Sequence, residues 1–114
     1  MPYALALALL LLTLVFVKRR VSSGFVDAVL AHQLVADGAP LIDVRSPAEF
    51  ASGHIDGARN IPLAQLRMRS NEVGAKDSPV VVYCRSGMRS AKAKSVLEAA
   101  GFTRVHNLGG QDRW

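Results

Sequence analysis

Cys84, the single cysteine of the chain, stands in a setting that favours an ionised, nucleophilic thiol. It follows the β-branched apolar run of residues 80–83 and precedes a short polar loop that contains Gly87. Four basic residues come after it before any acidic one, namely Arg85, Arg89, Lys92 and Lys94. At the start of a helix, unpaired backbone N–H groups and the helix dipole stabilise a thiolate and attract anions. The local sequence therefore favours a reactive thiol over a buried structural cysteine.

The elements on either side of Cys84 can be predicted from residue patterns. The continuous apolar run before it is typical of a strand that is buried on both faces of a parallel sheet, and Pro79 marks the start of that strand. After Ala91, apolar residues recur at helical spacing until Gly101, which can end a helix. Cys84 is thus predicted to lie where a central strand ends and a helix begins.

The rest of the chain alternates strands and helices, which predicts an α/β fold with a parallel sheet flanked by helices. Phe25–Val26 is predicted to be a brief edge strand, and Asp27 is predicted to cap a helix that runs to Asp37. Val26, Val29, Leu30 and Leu34 form the apolar face of that helix. Further strands are predicted over residues 41–44, 58–61 and 103–108, a helix over residues 63–69, and a tight turn at Gly109–Gly110.

The loop Cys84-Arg85-Ser86-Gly87-Met88-Arg89 resembles the C-R-x-G-x-R active loop of the rhodanese (sulfurtransferase) family. Residues 41–45, 49–50 and 53–62 are similar to the first signature of that family, D-V-R…E-F…G-H-I-x-G-A-x-N-I-P. Asn107–Gly110 and Trp114 resemble its closing G-G…W element. The resemblance covers about residues 24–114 in family order. It implies a rhodanese-like parallel sheet in a single domain, residues 21–114.

The resemblance also implies a reaction and a set of roles. Cys84 would take the outer sulfur of a donor such as thiosulfate, carry it as a persulfide, and pass it to a thiol or cyanide acceptor. The substrate-binding residues would be those of the loop, namely Arg85, Ser86, Gly87, Met88, Arg89 and Ser90. Four further residues would support the loops rather than react, namely Asp43, Arg45, Glu49 and His54.

Partners and cofactors follow from composition and from the resemblance. Neither a metal nor an organic cofactor is expected, and a protein can serve as the acceptor as well as a small molecule. A nucleic-acid partner is not indicated, because outside residues 18–20 only 11 of the 14 basic residues remain, against nine acidic ones.

Two other function classes stay open from the sequence alone. Phosphatases and arsenate reductases also place a cysteine at a helix N-terminus, but their clamping arginine lies six positions later, where this chain has Ser90. A six-residue loop is also tight for a phosphate monoester. The other class is a membrane-tethered binding or regulatory module without turnover. Rhodanese-like modules of that kind often lack the cysteine, which this chain retains.

Residues 2–17 form an uncharged, strongly apolar run followed directly by Lys18-Arg19-Arg20. As a helix these 16 residues would span about 24 Å, slightly less than a hydrocarbon core of about 30 Å. No charged side chain precedes the run, and the basic triplet follows it, which predicts a single-pass anchor over residues 1–20 in the inner or plasma membrane, with the domain in the cytoplasm. The alternative is a cleaved signal peptide and an exported domain, although such peptides carry their positive charge ahead of the apolar run.

Overall fold

Parallel strands form the sheet of this chain in the computed structural model, which describes residues 24–114. The elements are α1 (Ala28–Ala36), β1 (Leu41–Asp43), α2 (Pro47–Ala51), β2 (Arg59–Asn60), α3 (Leu63–Leu66), a 3-10 turn (Ser70–Glu72), β3 (Val80–Cys84), α4 (Met88–Ala99), β4 (Val105–Gly110) and a second 3-10 turn (Gln111–Arg113). The strand order is β2-β1-β3-β4, and every pairing is parallel. The predicted α/β fold, with a parallel sheet flanked by helices, is confirmed.

The predicted membrane segment, residues 2–17, lies outside the described residues, and so does its predicted boundary with the domain at residue 21. Among the helices between residues 24 and 114, none has the length and apolarity that a membrane crossing requires.

The central strand, β3, is buried along its whole length and supports both layers of helices. It pairs with β1 on one side and with β4 on the other. Successive side chains of a strand point to opposite faces. Val80, Val82 and Cys84 accordingly join one apolar core, and Val81 and Tyr83 join the other. This two-sided burial explains why the run is continuously apolar rather than alternating.

Helix α1 has the predicted extent, but the face that it buries only partly matches the predicted one. The side chain of Asp27 caps it by accepting a hydrogen bond from the backbone N–H of Val29 at 2.7 Å. Of the predicted apolar face, Val29 is 77% exposed and Leu30 is 43% exposed, so these two residues were wrongly predicted, whereas Val26 and Leu34 pack against the core as predicted. The helix packs through Ala31, with Leu34 and Val35 partly buried against the same core. Ala31, Leu34 and Val35 also follow the i, i+3, i+4 spacing, so the sequence pattern allowed both faces.

Three predicted elements differ from those in the structure: the edge strand at Phe25–Val26, the end of β4, and the end of α3. Phe25–Val26 is not a strand, because it makes only one hydrogen bond to the sheet edge, from Val26 N–H to the Asn107 carbonyl at 2.7 Å. β4 continues through Gly110 instead of turning at Gly109, since a bulge between Asn107 and Gly109 absorbs one extra residue. The predicted helix over residues 63–69 ends at Leu66, and a 3-10 turn follows it.

Candidate active site

Cys84 is the last residue of β3, and polar groups converge on its sulfur atom. Its side chain is buried, with 1% of the residue exposed. The backbone N–H of Gly87 donates a hydrogen bond to Sγ at 2.9 Å, and the Ser90 hydroxyl lies 3.3 Å from Sγ. The same hydroxyl is 3.2 Å from the Gly87 carbonyl and 3.5 Å from the Gly109 carbonyl. We call residues 84–90 the thiol loop.

The shape of the thiol loop depends on two glycines. Gly87 has φ +103° and immediately precedes α4, so it adopts a left-handed conformation that other residues rarely tolerate. Gly110, at the end of β4, packs so closely against the loop that a methyl group there would lie 2.6 Å from the Arg85 carbonyl oxygen. Helix α4 begins at Met88, so the last three residues of the thiol loop form its first turn, which therefore reaches the thiol.

The surroundings of Cys84 favour the thiolate. Burial raises the pKa of the Cys84 thiol, but hydrogen bonds from the Ser90 side chain and from the backbone N–H groups of Ser90, Gly87 and Ser86 outweigh it, so the pKa lies below its ordinary value. Backbone donors that point at an anion at the start of a helix need no rearrangement when charge appears. The site therefore favours the charged, nucleophilic form of this sulfur more than an ordinary cysteine environment does.

Arg89 and Glu49 form an ion pair that ties α4 to α2. Arg89 donates from Nη1 to Oε1 of Glu49 at 2.6 Å and from Nη2 to Oε2 at 2.9 Å. Glu49 also completes a capping box with Ser46 at the start of α2. The Arg89 guanidinium, with the backbone N–H of Ser46, lowers the pKa of Glu49 to about 2. The structure thus brings together two residues for which the sequence predicted separate roles; substrate binding by Arg89 stays a prediction.

Asp43 and Arg45 form a second, buried pair in the segment that joins β1 to β2, which we call the charged connection (residues 43–60). Arg45 donates to Asp43 from Nε and from Nη2, the latter at 2.7 Å, and Nη2 also donates to the Gly53 carbonyl at 2.7 Å. The side chain of Asp43 is 0% exposed and that of Arg45 is 9% exposed. Asn60 closes the turn by donating from Nδ2 to the carbonyls of Asp43 and Arg45, at 2.9 Å each. This pair lies next to β3, the strand that ends at Cys84, because Asp43 is in register with Tyr83.

Of the other predicted residues, some face solvent and some are bonded locally. His54 donates from Nδ1–H to the Phe50 carbonyl at 2.9 Å and stacks on the Phe50 ring, so it is held within the charged connection. Arg85, Ser86 and Met88 are exposed, and Met88 is 80% exposed. Within residues 24–114, the Arg85 guanidinium makes neither a hydrogen bond nor an ion pair.

Two residues of the site were not singled out from the sequence. Tyr83 accepts a hydrogen bond at its hydroxyl from the Ile55 N–H at 3.1 Å, and burial raises its pKa to about 12. A tyrosine inside an apolar strand is itself a signal, because a buried hydroxyl needs a partner. Phe25 packs against the thiol loop, although no motif includes it. Its position before the first helix gave no signal.

The space around the loop is open and partly apolar. A depression of about 470 Å³ beside α4 is lined by Leu63, Met88, Arg89, Ala91 and Lys92. Nowhere in the described part of the chain do three or more His, Cys, Asp or Glu side chains gather as a metal site would require.

Known proteins resemble this arrangement in sequence and in structure. A family profile described as "Rhodanese-like domain" matches residues 27–114. An uncharacterized protein of Bacillus subtilis, YqhL, is 52% identical over 77 residues, which cover 67% of this chain and 60% of that protein. The thiosulfate sulfurtransferase PspE of Escherichia coli is 43% identical over 70 residues, 60% of this chain and 67% of that enzyme. The structure of a human single-domain sulfurtransferase superposes with a TM-score of 0.68 at 28% identity, over 78% of this chain and 91% of that one.

Proposed function

The chain belongs to the rhodanese-like domain family, and from that membership and the thiol site we propose that it is a sulfurtransferase. Its reaction moves a sulfane sulfur from a donor such as thiosulfate to a thiophilic acceptor by way of Cys84. One observation carries the proposal: Sγ of Cys84 lies at the start of α4, 2.9 Å from the Gly87 N–H and 3.3 Å from the Ser90 hydroxyl. That arrangement stabilises a sulfur anion, which both halves of the reaction require.

The transfer proceeds in two displacement steps with Cys84 as the catalytic residue. In the first, the thiolate attacks the outer sulfur of thiosulfate, the S–S bond of the donor breaks, and its electron pair leaves with sulfite. The product is a persulfide anion on Cys84. In the second, cyanide or an acceptor thiolate attacks the terminal sulfur, and the bonding pair returns to Cys84 as a thiolate. The sulfane sulfur itself accepts the electrons when cyanide becomes thiocyanate, so no external oxidant or reductant is needed. Because sulfite leaves before the acceptor reacts, this is a ping-pong covalent reaction.

The backbone donors of the thiol loop would stabilise charge on the sulfur throughout this cycle. The Gly87 N–H already donates to Sγ, and Ser86 and Ser90 also offer N–H groups that stabilise the thiolate. These N–H groups are fixed in position before the sulfur donor binds, so the protein reorganises little when charge moves onto the sulfur.

Arg85 is the residue we assign to attract the dianionic donor. Its side chain is exposed at the mouth of the loop and has no partner within residues 24–114. Arg89, in contrast, uses both terminal nitrogens on Glu49. The charge of Arg89 is already matched by Glu49, so we propose that Arg89 acts mainly by fixing the first turn of α4. Met88 and the apolar depression beside it provide a contact surface for the acceptor.

The mass of the intact protein tests the proposal. After incubation of the full chain with thiosulfate, we expect a gain of one sulfur atom, and a small thiol such as dithiothreitol should remove it. Cys84→Ser should show no gain, and Ser95→Ala, on the exposed side of α4, should behave like the wild type. An unchanged wild-type mass with several sulfur donors would instead favour the tethered binding module. Robust hydrolysis of p-nitrophenyl phosphate that depends on Cys84 would favour the phosphatase class.

We further propose that residues 2–17 anchor the protein in the inner or plasma membrane, with the domain in the cytoplasm. The support is the sequence alone: an uncharged run of 16 residues followed by Lys18-Arg19-Arg20. The test is labelling of Cys84 by a membrane-impermeant maleimide, which should occur in lysed cells and not in intact ones. Labelling in intact cells, or purification of a chain that lacks this segment, would show an exported domain.

A further inference from the structure

The ring of Phe25 lies against two glycines of the active site. A methyl group at Gly87 would lie 2.7 Å from Cζ and 2.9 Å from Cε1 of Phe25, and a methyl group at Gly109 would lie 3.3 Å from Cδ1. Both glycines have positive φ, +103° and +93°. The ring therefore fills the space that Gly87 leaves on the N-terminal side of α4. At the bulge of β4 it shares the space beside Gly109 with the Arg113 side chain, whose Cδ would lie 2.9 Å from the same methyl group.

Phe25 is itself held from both sides. The next residue, Val26, donates its N–H to the Asn107 carbonyl at 2.7 Å. On the ring face, Cζ of the Arg113 guanidinium lies 4.9 Å from the ring centroid, which is within cation–π range. Arg113 is fixed in turn, because its Nε donates to the Leu108 carbonyl at 2.8 Å. The ring is thus clamped between Arg113 and the glycine surface.

The two glycines that Phe25 contacts are also bonded to the groups around the thiol. Gly87 donates its N–H to Sγ of Cys84. The carbonyls of Gly87 and Gly109 both lie within hydrogen-bond distance of the Ser90 hydroxyl, which in turn lies 3.3 Å from Sγ. A rotation of the peptide at Gly87 would move its N–H away from the sulfur. A rotation that moved the carbonyl of Gly87 or Gly109 would change the direction of the Ser90 hydroxyl. Glycine resists such rotation less than any other residue, since it has no side chain to restrict it.

We propose that Phe25 is a positioning residue for Cys84. The Phe25 ring holds Gly87 and Gly109 in the conformation that directs the Gly87 N–H and the Ser90 hydroxyl at Sγ. Without the ring, Gly87 gains conformational freedom and the hydrogen bonds to the sulfur weaken. The thiolate and the persulfide both lose stabilisation as a result. The inference rests on the proposed function only in taking Cys84 as the nucleophile.

The test is the pH profile of Cys84 alkylation by iodoacetamide in the full chain, which is unambiguous because the chain has one cysteine. For Phe25→Ala we expect a midpoint at higher pH than in the wild type, with alkylation at neutral pH slower by about two- to tenfold, as for the loss of one ordinary hydrogen bond. Phe25→Met, an apolar side chain of similar reach, should restore most of the wild-type profile. Val29→Ala, which truncates a 77% exposed residue of the neighbouring helix, is the matched control and should leave the profile unchanged.

Thermal unfolding is measured on the same variants, so that a merely structural role can be recognised. A lower melting temperature with a wild-type alkylation profile would overturn the proposal and make Phe25 an ordinary packing residue. If Phe25→Ala does not fold, Phe25→Leu decides by the same criterion. Because alkylation does not involve sulfur transfer, its outcome is independent of the mass gain with thiosulfate that tests the function.

Discussion

The thiol loop and the charged connection follow the C-terminal ends of the neighbouring strands β3 and β1, but their polar groups find hydrogen-bond partners in different ways. In the charged connection, every acidic residue that touches the site has a cation: Asp43 is bonded to Arg45, and Glu49 is bonded to Arg89, which the thiol loop contributes from the first turn of α4. In the thiol loop, several donors converge on a single sulfur atom, and the adjacent Arg85 has no anionic partner within residues 24–114. Charged side chains near a nucleophile therefore do not by themselves mark catalysis. Donors and cations left unmatched by protein groups are the ones available to a substrate.

Removal of Asp43 should break the charged connection and give the largest effect among the substitutions considered below. Asp43→Ala would leave the Arg45 guanidinium, whose side chain is 9% exposed, buried without its partner. We expect a loss of about 3–5 kcal/mol in the free energy of unfolding, measured by urea titration.

The matched control is Asp56→Ala, which truncates an exposed aspartate of the same connection and should change stability by less than about 0.5 kcal/mol. Equal losses in the two variants would show that the buried pair is not what holds this connection together.

Comparison of Arg85→Ala with Arg89→Ala should separate an unmatched cation from a matched one. For Arg85→Ala we expect kcat/KM for thiosulfate to fall by about 10- to 100-fold, as for one lost hydrogen bond to a charged group, with little change in alkylation by neutral iodoacetamide. For Arg89→Ala we expect both rates to fall together, because Glu49 loses its partner and the first turn of α4 loses its tie to α2.

Arg85→Lys keeps the charge and should recover part of the thiosulfate rate. The assignment of the two arginines would be reversed if Arg89→Ala impaired only the charged donor while Arg85→Ala impaired both reactions equally.

The smallest expected effect concerns the Ser90 hydroxyl, one of the donors of the thiol loop. It favours the charged form of Cys84, so Ser90→Ala should raise the pKa of the thiol. Alkylation should then be slower by about two- to tenfold at pH values below the midpoint and unchanged at high pH, where the thiol is ionised in both proteins.

Ser95→Ala, on the solvent side of α4, is the control for this change. A pH profile that does not move in Ser90→Ala would assign the stabilisation of the thiolate to the backbone N–H groups alone.

Much of the fold and the centre of the site could be predicted from the sequence, because both depend on local patterns. The run at residues 80–83 has the composition of a doubly buried strand, and Gly87 signals the turn into a helix. The location of Cys84 between them is therefore encoded within a few residues. The start of α1 follows from the capping residue Asp27 and the start of β3 from Pro79, and both of these signals are also local.

The remaining features depend on contacts between distant parts of the chain. Nothing local distinguishes Arg85, which has no partner within residues 24–114, from Arg89, which pairs with a glutamate 40 positions earlier. The buried face of α1 was also ambiguous, since two apolar faces satisfy the same helical spacing. The contact of Phe25 with Gly87 joins residues outside any shared motif. Such pairings follow from the three-dimensional packing of the sheet and its helices.

The hydrogen bond from the Gly87 N–H to Sγ makes this amide a natural spectroscopic reporter of the reaction. An amide proton that donates to an anion is deshielded, so its NMR chemical shift changes with the charge and size of the acceptor. The thiol, the thiolate and the persulfide place three different acceptors in front of the same proton. A single glycine cross-peak in a proton–nitrogen correlation spectrum can therefore follow each state of the sulfur in turn, without any label on the substrate.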